Sequence, residues 1–370
     1  MNTPGTVFQE AIRNFLAPIE HLLNDENVTE VMINGPNEIW VEIAGKIQKT
    51  TAAFKDEDSL RAAVNNIAQS VGRVINDDQP RLDARLPNGY RIHAVLPPCS
   101  RKGTTVAIRK FASQQISFKE YVRMGAISLD AAQFLDIAVK LGKNILVSGG
   151  TGSGKTTLLG MLCERIPPGQ RLIVIEDASE LKVEYEHVVF FETRMADEKN
   201  LSEVSVRDLL KSSLRLRPDR IVVGEVRGAE ALELVQAMNT GHKGCMGTVH
   251  ANSSEDALTR LEALAQGAEQ KLSERALRGQ IVSAIDIVVQ ISRYSDGSRR
   301  IAEISEVRGF TPDGSYDVVP IYSMSRLLKR PDGKLAGSLQ PTGELPTFLA
   351  EIEDNQIPFG RDKFQKPSAA

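Results

Sequence analysis

Aromatic residues make up only 5% of this 370-residue chain, and there is a single tryptophan. Channels that track single-stranded nucleic acid stack bases on aromatic platforms, and this composition supplies few. Neither charge sign is in excess: 45 basic residues against 48 acidic ones leave a net −3. That balance excludes a global electrostatic pull toward nucleic acid or an anionic membrane surface. The three cysteines, Cys99, Cys163 and Cys245, lie far apart with no C-x-x-C among them. A disulfide framework and a cysteine zinc site are therefore not expected, and a reducing compartment, the cytoplasm, is. No apolar run approaches the about 18 residues of a membrane span; even 131–148 is broken by Asp136, Lys140 and Lys143. The first ten residues lack a basic stretch followed by an apolar core, so no signal peptide is expected. Direct membrane insertion is not expected, and any work at a membrane would be done by docking on other proteins.

What is present is a phosphate-binding loop. Residues 144–157 read Asn-Ile-Leu-Val-Ser-Gly-Gly-Thr-Gly-Ser-Gly-Lys-Thr-Thr. Gly149, Gly154, Lys155 and Thr156 fill the fixed positions of G-x-x-x-x-G-K-[ST]. The context fits: Ile145, Leu146 and Val147 suit a buried strand, and a helix is expected over 155–166. Gly149, Gly150, Gly152 and Gly154 let the backbone turn tightly, so that its N–H groups, with Thr151, Ser153 and Thr157, surround an anion. The helix N-terminus adds partial positive charge. Lys155 would reach the β- and γ-phosphates of ATP, and the Thr156 hydroxyl would take a place on Mg²⁺.

Pattern and punctuation divide the chain. An amphipathic helix is expected over 5–24, carried by Phe8, Ile12, Phe15, Leu16 and Ile19. Short strands at 30–34, 39–43 and 46–50, a helix at 59–71, a hairpin of 81–85 and 90–96 across Pro87-Asn88-Gly89, and a strand at 104–109 make an α+β module, residues 1–112. Residues 113–128 read as a linker with one short helix. From 129 to 310 helix and strand alternate, which argues a parallel sheet covered by helices. Residues 311–370, rich in Pro, Gly and basic side chains, read as an extension with a flexible end. The expected fold class is α/β: a RecA-like P-loop domain preceded by a smaller α+β domain.

A P-loop enzyme also needs carboxylates near metal and water. Arg171-Leu-Ile-Val-Ile-Glu176-Asp177 and Arg220-Ile-Val-Val-Gly-Glu225-Val-Arg227-Gly228 both read as apolar strands ending in acid. In the second, Gly224 stands where a Walker B strand usually carries Asp, leaving Glu225. Either acid could instead cap a strand end. Further on, His242 and His250 flank a strand in Thr240-Gly-His-Lys-Gly…Thr248-Val-His-Ala-Asn252. Histidines so placed either read phosphate state or serve structure.

These segments, in this order, resemble the Walker A, Asp box, Walker B and His box of the secretion ATPases of type II and type IV systems. The segment Leu82-Asp-Ala-Arg-Leu-Pro-Asn-Gly89 with Arg91, the run Ile108-Arg-Lys-Phe111, and Pro341-Thr-Gly-Glu-Leu-Pro346 are most similar to the CpaF-like ATPases of Tad/Flp pili. The four-cysteine zinc motif of the type II branch is missing. The resemblance implies a homohexameric ring that binds ATP and Mg²⁺ and drives an inner-membrane platform protein in pilus assembly, retraction or secretion. It implies Glu225 as the catalytic glutamate and Glu176 as support for metal and water, both on Mg²⁺ directly or through water. His250 and His242 would sense phosphate or bridge to a neighbour, and Arg109 and Arg91 would contact phosphate. Two other readings compete: a nucleotide-gated scaffold of low turnover, suggested by Gly224, and a RecA-like nucleic-acid motor, disfavoured by the charge balance and the few aromatics.

Overall fold

The computed structural model describes residues 15–43, 45–86, 88–110, 116–194, 202–268 and 272–367. The chain divides into two compact units, residues 1–114 and 115–370.

In the first unit, six strands form an antiparallel sheet of order β3-β2-β1-β6-β5-β4. They are β1 (Val28–Asn34), β2 (Ile39–Ile43), β3 (Lys46–Lys49), β4 (Arg81–Arg85), β5 (Arg91–Val95) and β6 (Thr105–Arg109). The helix Glu57–Ser70 starts where Asp56 accepts the Ser59 N–H at 2.8 Å while Ser59 caps back, a reciprocal cap that satisfies two otherwise orphaned amides. Its Leu60, Val64 and Ile67 join Val31, Ile33, Ile92 and Ile108 in one core. The continuous helix expected over 5–24 is broken within the described residues. Ala17–Ile19 is a 3-10 turn carrying Pro18, and Glu20–Asn24 is a separate short helix. Proline has no N–H to donate to a preceding turn. Phe8 and Ile12 lie outside the described residues.

The second unit is built on a nine-stranded sheet of order β17-β14-β13-β12-β7-β11-β10-β8-β9. Its strands are β7 (Ile145–Gly149), β8 (Leu172–Glu176), β9 (Val188–Glu192), β10 (Arg220–Val223), β11 (Met246–Val249), β12 (Ile287–Arg293), β13 (Arg299–Phe310), β14 (Tyr316–Met324) and β17 (Leu339–Pro341). A separate two-residue pair, β15 (Leu328–Lys329) and β16 (Leu335–Ala336), lies between β14 and β17 in the chain. From β12 to β9 every pairing is parallel; from β12 to β17 every pairing is antiparallel. Successive strand residues alternate between two cores, the period of two that a pleated strand imposes. Ile145 and Val147 face the core of helices Leu129–Lys140 and Lys155–Cys163. Leu146 faces that of Val206–Ser213, Glu230–Asn239, Ser254–Gln266 and Glu274–Ala284.

Two segments differ from their expected roles. The stretch expected as a linker places Tyr121 and Ile127 in the core of the second unit. The stretch expected as an extension supplies β14, β17, the helix Leu349–Asp354 and an aromatic cluster. Phe134 lies 5.6 Å from Tyr322, 5.6 Å from Phe348 and 5.8 Å from Phe364, between ring centroids. The aromatic residues of 311–367 are spaced too irregularly to announce a buried face. Residues 368–370 lie outside the described residues.

Candidate functional site

The C-terminal ends of β7, β11, β10 and β8 form one edge of the parallel sheet, where ligands of such sheets bind. Gly149 ends β7. A Cβ there would overlap the Ile291 carbonyl oxygen and sit 2.6 Å from Ser153 Oγ, so no larger residue fits. Gly152 and Gly154 take φ of +67° and +101°, a region that side chains disfavour. Lys155 opens the helix, and its Nζ donates to the carbonyl oxygens of Gly149 at 2.9 Å and Gly150 at 3.1 Å. Ser153 Oγ donates to the Gly150 oxygen at 2.9 Å. Thr156 is half-buried in the first helical turn, and Thr151 and Thr157 are exposed. The loop, lysine and helix N-terminus together make an anion cradle of triphosphate type.

Glu176 ends β8, two strands beyond β11, and is 4% exposed. Burial pushes its carboxyl up to about 7, although N–H groups of Glu180 and Leu181, both at 2.9 Å from Oε1, pull the other way. Its side chain accounts for Gly224. A Cβ at 224 would lie 2.7 Å from Glu176 Cγ and 3.2 Å from Oε1. Glu176, reaching across from the neighbouring strand, occupies the space a larger Walker B residue would need.

Glu225 follows β10 and is half-buried. Its Oε2 accepts from Arg227 Nη2 at 2.6 Å, and Arg227 Nη1 lies 3.5 Å from Asp177 Oδ2. The Arg227 guanidinium therefore bridges acids that leave two paired strands, β10 and β8. The turn below it is held by Glu230, whose Oε1 accepts the N–H of Arg227 at 2.7 Å and of Gly228 at 2.8 Å.

The two histidines part company. Val249 pairs with Ser148 in the parallel β11–β7 ladder, so His250 leaves the sheet beside the P-loop, exposed. His242 precedes β11 and lies at the other end of that ladder. There Gly244 of its motif and Gly142, from the turn before β7, make room for Arg220: a Cβ at Gly244 would overlap the guanidinium, and one at Gly142 would come within 3.3 Å of it. Arg220, buried, donates to Gln170 Oε1 at 2.7 Å, the Val139 oxygen at 3.2 Å and the Lys243 oxygen at 3.3 Å. Within one chain, His242 is thus not brought to the nucleotide loop.

In the first unit, Arg91 and Arg109 are direct cross-strand partners, and Arg85 is the partner of Arg91 on its other side. The three stand in one row across β4, β5 and β6. Arg91 also donates to Asp83 Oδ2 at 3.0 Å.

The sequence profile of the type II/IV secretion system protein family matches residues 13–315. A putative conjugal transfer protein of Mycobacterium tuberculosis is 37% identical over 314 residues, 83% of this chain and 88% of that protein. The type IV secretion system protein VirB11 of Bartonella quintana is 33% identical over 325 residues, covering 78% and 91%. This chain belongs to the type II/IV secretion system protein family. Its P-loop makes it an ATPase of that family. The Legionella pneumophila ATPase DotB, at 19% identity and a TM-score of 0.55 over 81% of this chain and 80% of that one, shares the fold.

Two residues at this sheet edge escape a motif-by-motif reading: Arg227 and Asp177, linked to Glu225 through the ion pairs of Arg227. Both stand inside the quoted motifs, but neither motif shows that their strands are neighbours. The acids within the alternating apolar strands give the signal for a strand end, not for which strand lies alongside.

Proposed function

We propose that this chain hydrolyses ATP as one subunit of a homohexameric ring and uses the cycle to drive an inner-membrane platform protein of a pilus or secretion machine. The observation that carries the reading is the single sheet edge that holds the P-loop, His250, Glu225 and Glu176 together. Lys155 grips the terminal phosphates, with Gly149–Thr157 around them. Glu225 orients the attacking water, and Glu176 supports it. Arg91 and Arg109, adjacent in register, meet phosphate charge, and His250 reports the state of the nucleotide. His242, at the far end of its strand, serves the Arg220 cradle or a neighbouring subunit.

Among the described residues no three His, Cys, Asp or Glu side chains gather into a metal cage. Mg²⁺ does not need one, since it is held by one or two carboxylates together with substrate phosphates. Hard oxygen donors are what this edge offers, so the residues fit the ion: Thr156, Glu176 and Glu225 would hold it. When bound it would offset negative charge on the phosphates. Among the described residues no helix is long and apolar enough to cross a membrane.

The low-turnover scaffold reading rests on Gly224. Glu176 fills the space beside that glycine, which supports the hydrolytic reading over the scaffold one. The test is steady-state ATP hydrolysis by Lys155→Ala and Glu225→Gln, alongside the assembly state of the wild type. Loss of turnover in both and a six-subunit particle are expected. Wild-type turnover in either variant refutes the reading.

A further inference from the structure

Arg227 is about half exposed, at 55%, and an ion pair so placed contributes little to stability. Its geometry is nevertheless closely determined. Its backbone N–H is tied to Glu230, which is buried, and the next N–H is tied to the same oxygen. Its two terminal nitrogens face two different acids, Glu225 at 2.6 Å and Asp177 at 3.5 Å, on paired strands. A planar fork can serve two carboxylates at once, whereas an ammonium is a point charge. An anchored base, a rigid fork and two acids at the nucleotide edge form an orienting device whose contribution to folding is small.

We propose that Arg227 is a positioning residue for hydrolysis: it holds the Glu225 carboxylate in one orientation and ties it to Asp177 on the neighbouring strand. This rests on Glu225 acting in hydrolysis. Arg227 acts only through Glu225 and not by contact with nucleotide. Groups that orient a reacting residue in this way typically matter by about 10- to 100-fold in activity. Because Thr156 and Glu176 would also hold the ion, a residue that only orients Glu225 toward water changes kcat far more than nucleotide affinity.

The experiment uses the full chain in its assembled form, with Arg227→Ala, Arg227→Gln, Arg227→Lys, Asp177→Asn, Glu225→Gln and the double variant Arg227→Ala/Glu225→Gln. Steady-state and single-turnover ATP hydrolysis, fluorescent ADP binding and thermal melting are measured on each. Arg227→Ala and Arg227→Gln should lose about 10- to 100-fold in kcat while KM and the ADP Kd move by less than about twofold. Arg227→Lys should recover part of the loss through Glu225 alone, and Asp177→Asn should lose less than Arg227→Ala. The double variant should be no slower than Glu225→Gln, because an orienting group has no effect once its target is gone. The inference is overturned if Arg227→Ala keeps its kcat, if its loss appears in KM and Kd instead, or if it adds in full to that of Glu225→Gln. Should Glu225→Gln itself retain wild-type turnover, the hydrolytic role of Glu225 fails, and with it this inference. If Glu225→Gln is inactive and Arg227→Ala is not, only this inference fails.

Discussion

Gly224→Asp would bring this chain to the usual Walker B pattern, and the structure says that it will damage the protein. Gly224 does not have a positive φ, so backbone strain is not at issue and only space decides. The added Cβ would stand 2.7 Å from Glu176 Cγ, 3.2 Å from its Oε1 and 3.4 Å from its Cδ. Glu176 cannot simply swing away, because its Oε1 accepts the Glu180 and Leu181 amides and it is buried. Overpacking of this kind costs about 1–3 kcal/mol. For a unit of this size that lowers Tm by roughly 3–10 °C. Gly224→Ala isolates the steric part, and Gly224→Asp adds a second carboxylate beside a buried first. Thermal melts of Gly224→Ala, Glu176→Ala and the double variant close a cycle. Removing the Glu176 Cγ removes the obstruction, so the double variant should be more stable than the sum of the single losses, by about 1–2 kcal/mol. Strict additivity, or a Gly224→Ala melt that matches wild type, would refute the account of Gly224.

Glu176 also predicts a pH dependence. Burial raises its carboxyl to about 7 from an ordinary 4.5, so the folded state binds the proton more tightly than the unfolded one. Its contribution therefore turns unfavourable as pH rises from about 4.5 to 7, reaching about 3 kcal/mol above that window. Glu176→Gln keeps an acceptor for the two amides without the charge. Without nucleotide or Mg²⁺ it should melt higher than wild type at pH 8 and nearly together with it at pH 5; an equal gap at both values sinks the claim. Phe364→Ala should cost about 3–5 kcal/mol in urea unfolding, because Phe364 is 1% exposed in the aromatic cluster; a detached extension would give almost none. Gly244→Ala should leave little folded protein, since its Cβ would overlap the buried Arg220 guanidinium and its φ is +70°. Soluble yield and melting measure it, and a normal melt would remove the structural reading of the Thr240–Gly244 loop.

Most of the architecture was legible along the chain. The hairpin at Asn88-Gly89, the alternation of helix and strand from 129 to 291 and the P-loop all announce themselves through local spacing. Pro18 overrode a helical period that its neighbours favoured. The tail misled because Pro, Gly and basic residues dominate its composition, while Tyr322, Phe348 and Phe364 find their common partner in Phe134, far away in sequence. The histidines show the same limit: equal prominence in the motif, opposite ends of one strand.

By itself the sequence determined the phosphate chemistry, since G-x-x-x-x-G-K-T is a continuous segment whose turn, lysine and helix are all set within a few residues. It also determined the family, through four segments in a fixed order. Only the tertiary structure decided which residues share an edge. Strand order here is not chain order: β11 stands between β7 and β10, and β8 pairs with β10. That arrangement puts Glu176 in the space above Gly224, Arg227 between Glu225 and Asp177, and His242 away from the loop. Side-chain volume and charge act across neighbouring strands, and no spacing along the chain says which strands those are.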